Sequence, residues 1–261
     1  MLRRISTIFA AMAALVGCGE QGEGVRIAFL HHSTGRAVWD GGVRDRLRKI
    51  GRETGANYIA EEIVFPKESP YGWNNYPYDY WNIWVNHGGA RPFMEEPTLE
   101  ILAAEYDIIA FKHCFPVSAV LPDTGEPDVS SAEKRAENYR AQYEALKEKM
   151  HGFPGTRFIV WTGAALVEGA TTPEQARRAG EFFEWVTAEW DEEGDNIYVF
   201  DFFELETEGG LYMKDEYARS GTDSHPSGDF AGKAAAAFAD RIAEVASAVP
   251  ATSGGEPDTA R

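Results

Sequence analysis

The fold is decided by Val25-Arg26-Ile27-Ala28-Phe29-Leu30 and by the polar run His31-His32-Ser33-Thr34-Gly35 that follows it. The first six residues are mostly apolar and fit a buried strand that ends abruptly at the polar run. Similar short apolar runs occur at 57–65, 108–111, 157–162 and 196–200. Because amphipathic segments lie between these runs, the sequence predicts an α/β fold in which a five-stranded parallel sheet is covered by helices on both faces.

Helix signals occupy the intervals between the predicted strands. The spacing of apolar residues predicts helices over 42–54 and 131–150, the second one starting from a capping box of Ser130 and Glu133. Thr172, followed by Pro173 and Gln175, marks the start of a further helix. An alanine-rich helix is predicted from about residue 228 to residue 247, and it closes the domain.

The composition bounds the class of protein. The chain has 261 residues, 44% of them apolar, with 25 Lys+Arg against 42 Asp+Glu and a formal net charge of -17. This content is sufficient for one packed domain, which we assign to residues 25–249. The acidic balance argues against nucleic acid as a partner, because phosphate binding requires clustered Lys and Arg.

The amino terminus has the pattern of an export signal. Arg3 and Arg4 precede a short apolar stretch, and Leu15-Val16-Gly17-Cys18 resembles a bacterial lipobox. We therefore predict a lipoprotein signal peptide at 1–17, lipidation at Cys18 and a membrane-anchored protein of the cell envelope. An ordinary secretory signal with an incidental cysteine is the alternative. Residues 18–24 are predicted to be a tether and residues 250–261 a disordered tail.

Candidate chemical groups cluster at the predicted strand ends, where ligands bind in parallel sheets. Ser33 follows the first strand, Asp201 follows the fifth, and Asp223 and His225 precede the last helix. A serine hydroxyl becomes a nucleophile when an imidazole removes its proton and a carboxylate orients that imidazole. Ser33, His225 and Asp223 are therefore the predicted catalytic residues, with Asp201 as the alternative carboxylate.

These motifs resemble those of the SGNH/GDSL hydrolases, most clearly in the Ser33 turn and in Thr222-Asp223-Ser224-His225-Pro226-Ser227 before the last helix. The resemblance implies a three-layer, flavodoxin-like fold and an esterase in which Ser33 is the nucleophile and His225 the general base. The sequence departs from that family in three places. His31-His32-Ser33 replaces Gly-Asp-Ser, Thr222 stands at the usual place of the acidic residue, and Lys112-His113-Cys114 replaces the Gly-x-Asn-Asp block.

The missing asparagine leaves the oxyanion donors to be assigned. The substitutes that we predict are Lys112 or His113, together with the backbone N–H of Ser33, and Gly88 as the glycine of the second family block. Gly35 and His32, beside the serine, complete the predicted set of oxyanion or substrate-binding residues. No cofactor is predicted.

Residues 71–93 contain eight aromatic side chains, too many for a disordered segment. Most of these rings are expected to cover the core. Trp73 and Trp81 are predicted to be exposed platforms, suited to the flat apolar face of a sugar ring. The preferred substrates are accordingly small esters or acylated carbohydrates.

Structural interpretations compete with several of these assignments. Ser33 is also a common N-cap residue, and Cys114 is expected to pack as a small apolar side chain. His31, His32, His113 and Asp201 offer ligands for a metal, although their spacing matches no known metal motif. Two alternative functions follow, a non-catalytic glycan-binding lipoprotein and a metal-dependent phosphoesterase.

Overall fold

The computed structural model of the protein describes residues 24–72 and 74–248. The predicted signal peptide, most of the tether, Cys18, Trp73 and the predicted tail lie outside these residues. Among the residues described, no helix is long and apolar enough to cross a membrane.

A parallel five-stranded sheet forms the centre of the domain, as predicted. Its strands are β1 (Val25–His31), β2 (Tyr58–Val64), β3 (Ile108–Phe111), β4 (Arg157–Trp161) and β5 (Ile197–Phe200). They are ordered β2-β1-β3-β4-β5, which is the doubly wound, flavodoxin-like order. All five strands run in the same direction, so the chain segments that follow them meet at one edge of the sheet, here called the carboxyl edge.

Helices cover both faces of the sheet and complete three layers. On one face lie α1 (Ser33–Asp40), α2 (Val43–Thr54) and α8 (Gly228–Ser247), which bury one apolar cluster. On the other lie α3 (Pro77–Trp81), α4 (Leu99–Ala103), α5 (Ala136–His151) and α6 (Pro173–Trp185), with a second apolar cluster. The short helix α7 (Phe202–Thr207) follows β5. The predicted three-layer α/β/α architecture is confirmed.

Helix starts were predicted with mixed success. Thr172 caps α6 as expected, since its side chain accepts a hydrogen bond from the Gln175 N–H at 3.3 Å. The capping box at Ser130 was wrong, because α5 begins only at Ala136. The backbone N–H and the hydroxyl of Ser130 both donate to Asp128 Oδ1, which holds the serine in a turn before the helix.

A small antiparallel pair of strands was not predicted. It consists of β6 (Ala218–Ser220) and β7 (Asp223–Pro226), immediately before α8. These strands are too short for apolar alternation to reveal them. Strand β7 packs against α1, which places the loop before the last helix beside the end of β1.

Candidate active site

Ser33 lies at the carboxyl edge as the first residue of α1, and it is exposed. The N-cap residue is His32, which makes no capping bond through its side chain. The interpretation of Ser33 as a helix cap is therefore wrong. A Cβ atom on Gly35 would lie 2.4 Å from His31 Cβ, so the glycine allows α1 to cross close over the end of β1. Gly35 thus fixes the turn that presents Ser33.

Asp223 and His225 form a hydrogen-bonded pair. Two residues apart in β7, they project from the same face of the strand. Asp223 Oδ1 accepts hydrogen bonds from His225 Nδ1 at 2.6 Å and from the His225 backbone N–H at 3.0 Å. The backbone bond, followed by the imidazole bond, holds the pKa of Asp223 below its usual value. With Nδ1–H donated to the carboxylate, the lone pair of His225 Nε2 is available to accept a proton.

Asp201, the alternative carboxylate, has different partners. Its Oδ1 accepts from the Thr162 hydroxyl at 2.6 Å and from the Glu204 N–H at 3.2 Å. Asp201 is the N-cap residue of α7. Of the two aspartates considered, Asp223 is therefore the one paired with His225.

The end of β3 connects the serine with the histidine. Cys114 Sγ lies 3.5 Å from Ser33 Oγ, and the ring of the next residue, Phe115, meets the His225 imidazole edge-on with centroids 5.0 Å apart. Ser33, Cys114 and His225 are thus brought near one another from α1, from the segment after β3 and from β7. Within residues 24–72 and 74–248, no hydrogen bond joins Ser33 directly to His225.

Lys112 and His113, the two candidate oxyanion donors, are both fully buried. Lys112 Nζ donates to Thr34 Oγ1 at 2.7 Å and to the carbonyl of His113 at 2.6 Å. His113 Nε2 lies 3.0 Å from the Tyr143 hydroxyl in the opposite helical layer. Burial lowers the pKa of His113 to about 3, so this imidazole is neutral. Neither side chain is exposed beside Ser33, although Lys112 reaches the serine's neighbour.

Glu206 is a further buried ionisable group near this edge. One carboxyl oxygen accepts from the Ala165 N–H at 2.6 Å, and the other has no hydrogen-bond partner. Burial raises the pKa of Glu206 to about 8, against the opposing effects of that N–H and of the Lys112 ammonium. The carboxyl group is accordingly protonated at neutral pH.

The two histidines before the serine contact neighbouring parts of the chain. His31 is buried under α1, with Nε2 3.1 Å from Glu62, and burial lowers the pKa of His31 to about 3. His32 Nε2 lies 2.6 Å from the carbonyl of Pro66 in the loop after β2. Among the residues described, no group of three or more His, Cys, Asp or Glu side chains is arranged to hold a metal ion.

The remaining predicted residues lie elsewhere or in the core. Gly88 is not beside Ser33. A Cβ atom on Gly88 would meet the carbonyl of Trp84 and Lys149 Nζ, and Lys149 is in the last turn of α5, which leads to the edge of the sheet opposite Ser33. Trp81 is only 8% exposed, so its expected role as an exposed platform was wrong. The ring packs beside that of Tyr78, with centroids 5.8 Å apart, and its burial is more favourable than exposure to water. Trp73 lies outside the described residues.

Comparisons with known proteins agree with the fold. No family model matches the chain, and no curated protein matches it. A solved gut microbial diltiazem-metabolizing enzyme superposes with a TM-score of 0.50 at 11% identity, over 84% of this chain and 46% of that one. The chain therefore spans about half the length of that enzyme. An acetyl xylan esterase superposes with a TM-score of 0.48 at 11% identity, over 84% of this chain and 100% of that one.

Three residues of the site were not identified from the sequence. Thr34 and Phe115 directly follow Ser33 and Cys114 in the sequence, and this adjacency is the signal that could have indicated them. Glu206 is the next-to-last residue of the short helix α7, and nothing in its sequence neighbourhood indicates that it is buried. Its position depends on how α7 folds back towards the end of β4, a tertiary relationship that periodicity does not reveal.

Proposed function

We propose that the protein is an ester hydrolase of the serine type, related in architecture to the SGNH hydrolases. One observation carries the proposal: a strand of the carboxyl edge brings a hydrogen-bonded Asp223–His225 pair against the helix that begins with the exposed Ser33. A nucleophile, a base and an orienting carboxylate are the groups that acyl transfer requires.

The proposed reaction begins with attack of Ser33 Oγ on the carbonyl carbon of the ester. His225 Nε2 takes the serine proton and then donates it to the departing alcohol, which leaves an acyl-serine. Asp223 stabilises the imidazolium through Nδ1–H. Water, activated by the same imidazole, releases the acid and restores Ser33. In the proposed reaction Ser33 Oγ forms its hydrogen bond to His225 Nε2 with the substrate bound, since catalytic hydrogen bonds are often formed only then.

The negative oxygen of the intermediate requires donors at the same edge. The first backbone N–H groups of α1, at Ser33, Thr34 and Gly35, have no acceptor within the helix and lie at its positive end. They are the donors that we propose, because Lys112 and His113 are buried. Small acyl esters are the proposed substrates; acylated carbohydrates remain within that class.

The experiment is fluorophosphonate labelling combined with hydrolysis of p-nitrophenyl acetate. Labelling should map to Ser33, and Ser33→Ala or His225→Gln should lower kcat/KM by on the order of 1000-fold. Ser247→Ala, at the far end of α8, is the matched control and should retain both properties. Equal labelling of wild type and Ser33→Ala would refute the proposal.

We also propose that the protein acts at the cell envelope, held by lipid on Cys18. The support is the sequence pattern of residues 1–18. Expression in a bacterium with membrane fractionation tests it. The full chain should sediment with membranes, whereas Cys18→Ser should not incorporate labelled fatty acid; equal incorporation by both would contradict the proposal.

A further inference from the structure

Beneath Ser33 lies a group of buried polar side chains that the proposed reaction does not use. Lys112 and Thr34 are fully buried and Cys114 is 4% exposed. The hydroxyl of Thr34 lies 2.7 Å from Lys112 Nζ and 3.5 Å from Cys114 Sγ, and the same sulfur lies 3.5 Å from Ser33 Oγ. These contacts form a continuous path from the lysine to the proposed nucleophile.

The chemistry of the donors gives this path a direction. Burial lowers the pKa of Lys112 from its usual value, against the opposing effects of Cys114 and Glu206. As an ammonium group Lys112 only donates, so Thr34 Oγ1 accepts from it. The single hydroxyl hydrogen of Thr34 is then directed to Cys114 Sγ, its other partner. A thiol also has one hydrogen, and Ser33 Oγ is the remaining partner for it. The hydroxyl hydrogen of Ser33 consequently points away from the sulfur.

We propose that Lys112, Thr34 and Cys114 are positioning residues that form a one-way hydrogen-bond chain, which turns the Ser33 hydroxyl proton toward His225 only while Cys114 is a thiol. The inference rests on the proposed function, because it assigns a state to the same nucleophile. It adds Lys112, Thr34 and Cys114 to the site, together with the ionisation of the Cys114 thiol. None of the three touches the reacting ester.

Loss of the thiol proton reverses the last link. A thiolate has no hydrogen to give and attracts the Ser33 hydroxyl hydrogen, which then points to the sulfur and away from the base. The groups that face Cys114 are Lys112 on its own segment, Ser33 and Thr34 on α1, the Phe115 N–H, Tyr80 on α3 and Glu206 on α7.

Taken together, these neighbours make Cys114 easier to ionise than an ordinary thiol. Burial alone would raise the pKa of Cys114, but the Lys112 ammonium and the two hydroxyls together hold it below the usual thiol value. Activity should therefore decline with rising pH, starting lower than an ordinary thiol would titrate.

The test is kcat/KM for p-nitrophenyl acetate as a function of pH, in wild type and Cys114→Ser. Serine keeps one donor hydrogen and the acceptor but does not ionise in this range. Cys114→Ser should retain neutral-pH activity within about tenfold and lose the alkaline decline. Glu206→Gln is the control for the neighbouring carboxyl and should keep the decline. An unchanged alkaline decline in Cys114→Ser overturns the proposal.

A matched pair at Thr34 tests the chain itself. Thr34→Ser retains the hydroxyl and Thr34→Val retains the shape without it. We expect Thr34→Val to lower kcat by about tenfold or more with little change in KM, and Thr34→Ser to approach wild type. Equal kcat in the two variants, both shown to be folded by circular dichroism, refutes the inference.

Labelling by fluorophosphonate distinguishes failure of the hydrogen-bond chain from failure of the serine mechanism. If Ser33 is labelled but the Cys114 and Thr34 variants behave as wild type, the chain is wrong and the serine mechanism stands. If Ser33 is not labelled in the wild type, the proposed function fails and the chain fails with it.

Discussion

His225 Nδ1 lies 2.6 Å from Asp223 Oδ1, within a single four-residue strand. The orienting carboxylate is thus supplied locally, and it also accepts from the backbone N–H of the same histidine. A pair this close in sequence keeps its geometry as long as β7 is formed. The positioning of His225 relative to Ser33 then depends on the packing of β7 against α1 and on the contact of the imidazole with Phe115.

Removing the carboxylate should impair catalysis without unfolding the protein. Asp223→Ala leaves Nδ1–H of His225 without its acceptor, so we expect kcat/KM to fall by on the order of 100-fold or more. Asp201→Ala is the matched control. It removes the cap of α7 and should lower the melting temperature more than the rate. The reverse pattern would make Asp201 the functional carboxylate.

Gly35→Ala should destabilise the fold. Its Cβ would lie 2.4 Å from His31 Cβ, so α1 and the end of β1 would have to separate. We expect a loss of about 1–3 kcal/mol in the free energy of unfolding, measured by urea denaturation. Gly228→Ala, where an added Cβ meets no atom within 4 Å, should change that free energy by at most about 0.5 kcal/mol. Equal effects at the two positions would contradict the close-approach argument.

Thr172→Ala should remove the side-chain cap of α6. The cap bond to the Gln175 N–H is the reason to expect a cost of about 1 kcal/mol. Thr171→Ala serves as the control, because the Thr171 hydroxyl only approaches the carbonyl of Thr172 at 3.5 Å. Chemical denaturation of both variants measures the difference, and no difference would show that the cap contributes nothing.

Glu206 should make the stability fall as pH rises. Its pKa is raised to about 8 in the folded protein, so between the ordinary carboxyl value and about 8 the folded state holds a proton that the unfolded chain has lost. The free energy of unfolding contributed by this group is therefore present at low pH and is lost across that window.

Comparing Glu206→Gln with wild type isolates this effect. As pH rises from about 5 to about 8, the free energy of unfolding of wild type should fall relative to that of the glutamine variant. Glu204→Gln, an exposed position on the same helix, should show no such trend. Parallel pH profiles for wild type and Glu206→Gln would exclude a buried protonated carboxyl.

The sheet could be predicted because each of its strands is a short apolar run followed by polar residues. Strand Ile108–Phe111 was located with correct boundaries from that contrast, and the alanine content indicated the helix from about Gly228 to Ser247. The start of α5 could not be predicted, because a capping pattern at Ser130 competes with a turn stabilised by Asp128. Local sequence offers both solutions, and the tertiary path of the chain decides between them.

The candidate site was predictable in its residue types more than in its contacts. Position after a strand pointed to Ser33, and position before the last helix pointed to His225. The same reasoning made Lys112 and His113 candidate oxyanion donors, whereas both are buried. Strand-end position indicates which edge a residue occupies, but whether it faces solvent or a helical layer depends on packing. For that reason Cys114, expected to be an inert core residue, contacts the serine.

The two ends of the described chain lie at the same edge of the sheet, and this position determines how the domain would face a membrane to which its amino terminus is anchored. Gly24 precedes β1, and the carbonyl of Ala248 accepts from Arg157 at the start of β4, so both lie at the edge of the sheet opposite Ser33. Strand β1, with 7 residues, separates the two edges by about 23 Å. If Cys18 carries a lipid, six residues of chain, at most about 22 Å, connect it to that far edge. The edge that carries Ser33 would then face outward from the bilayer, toward dissolved molecules rather than the lipids beneath the protein.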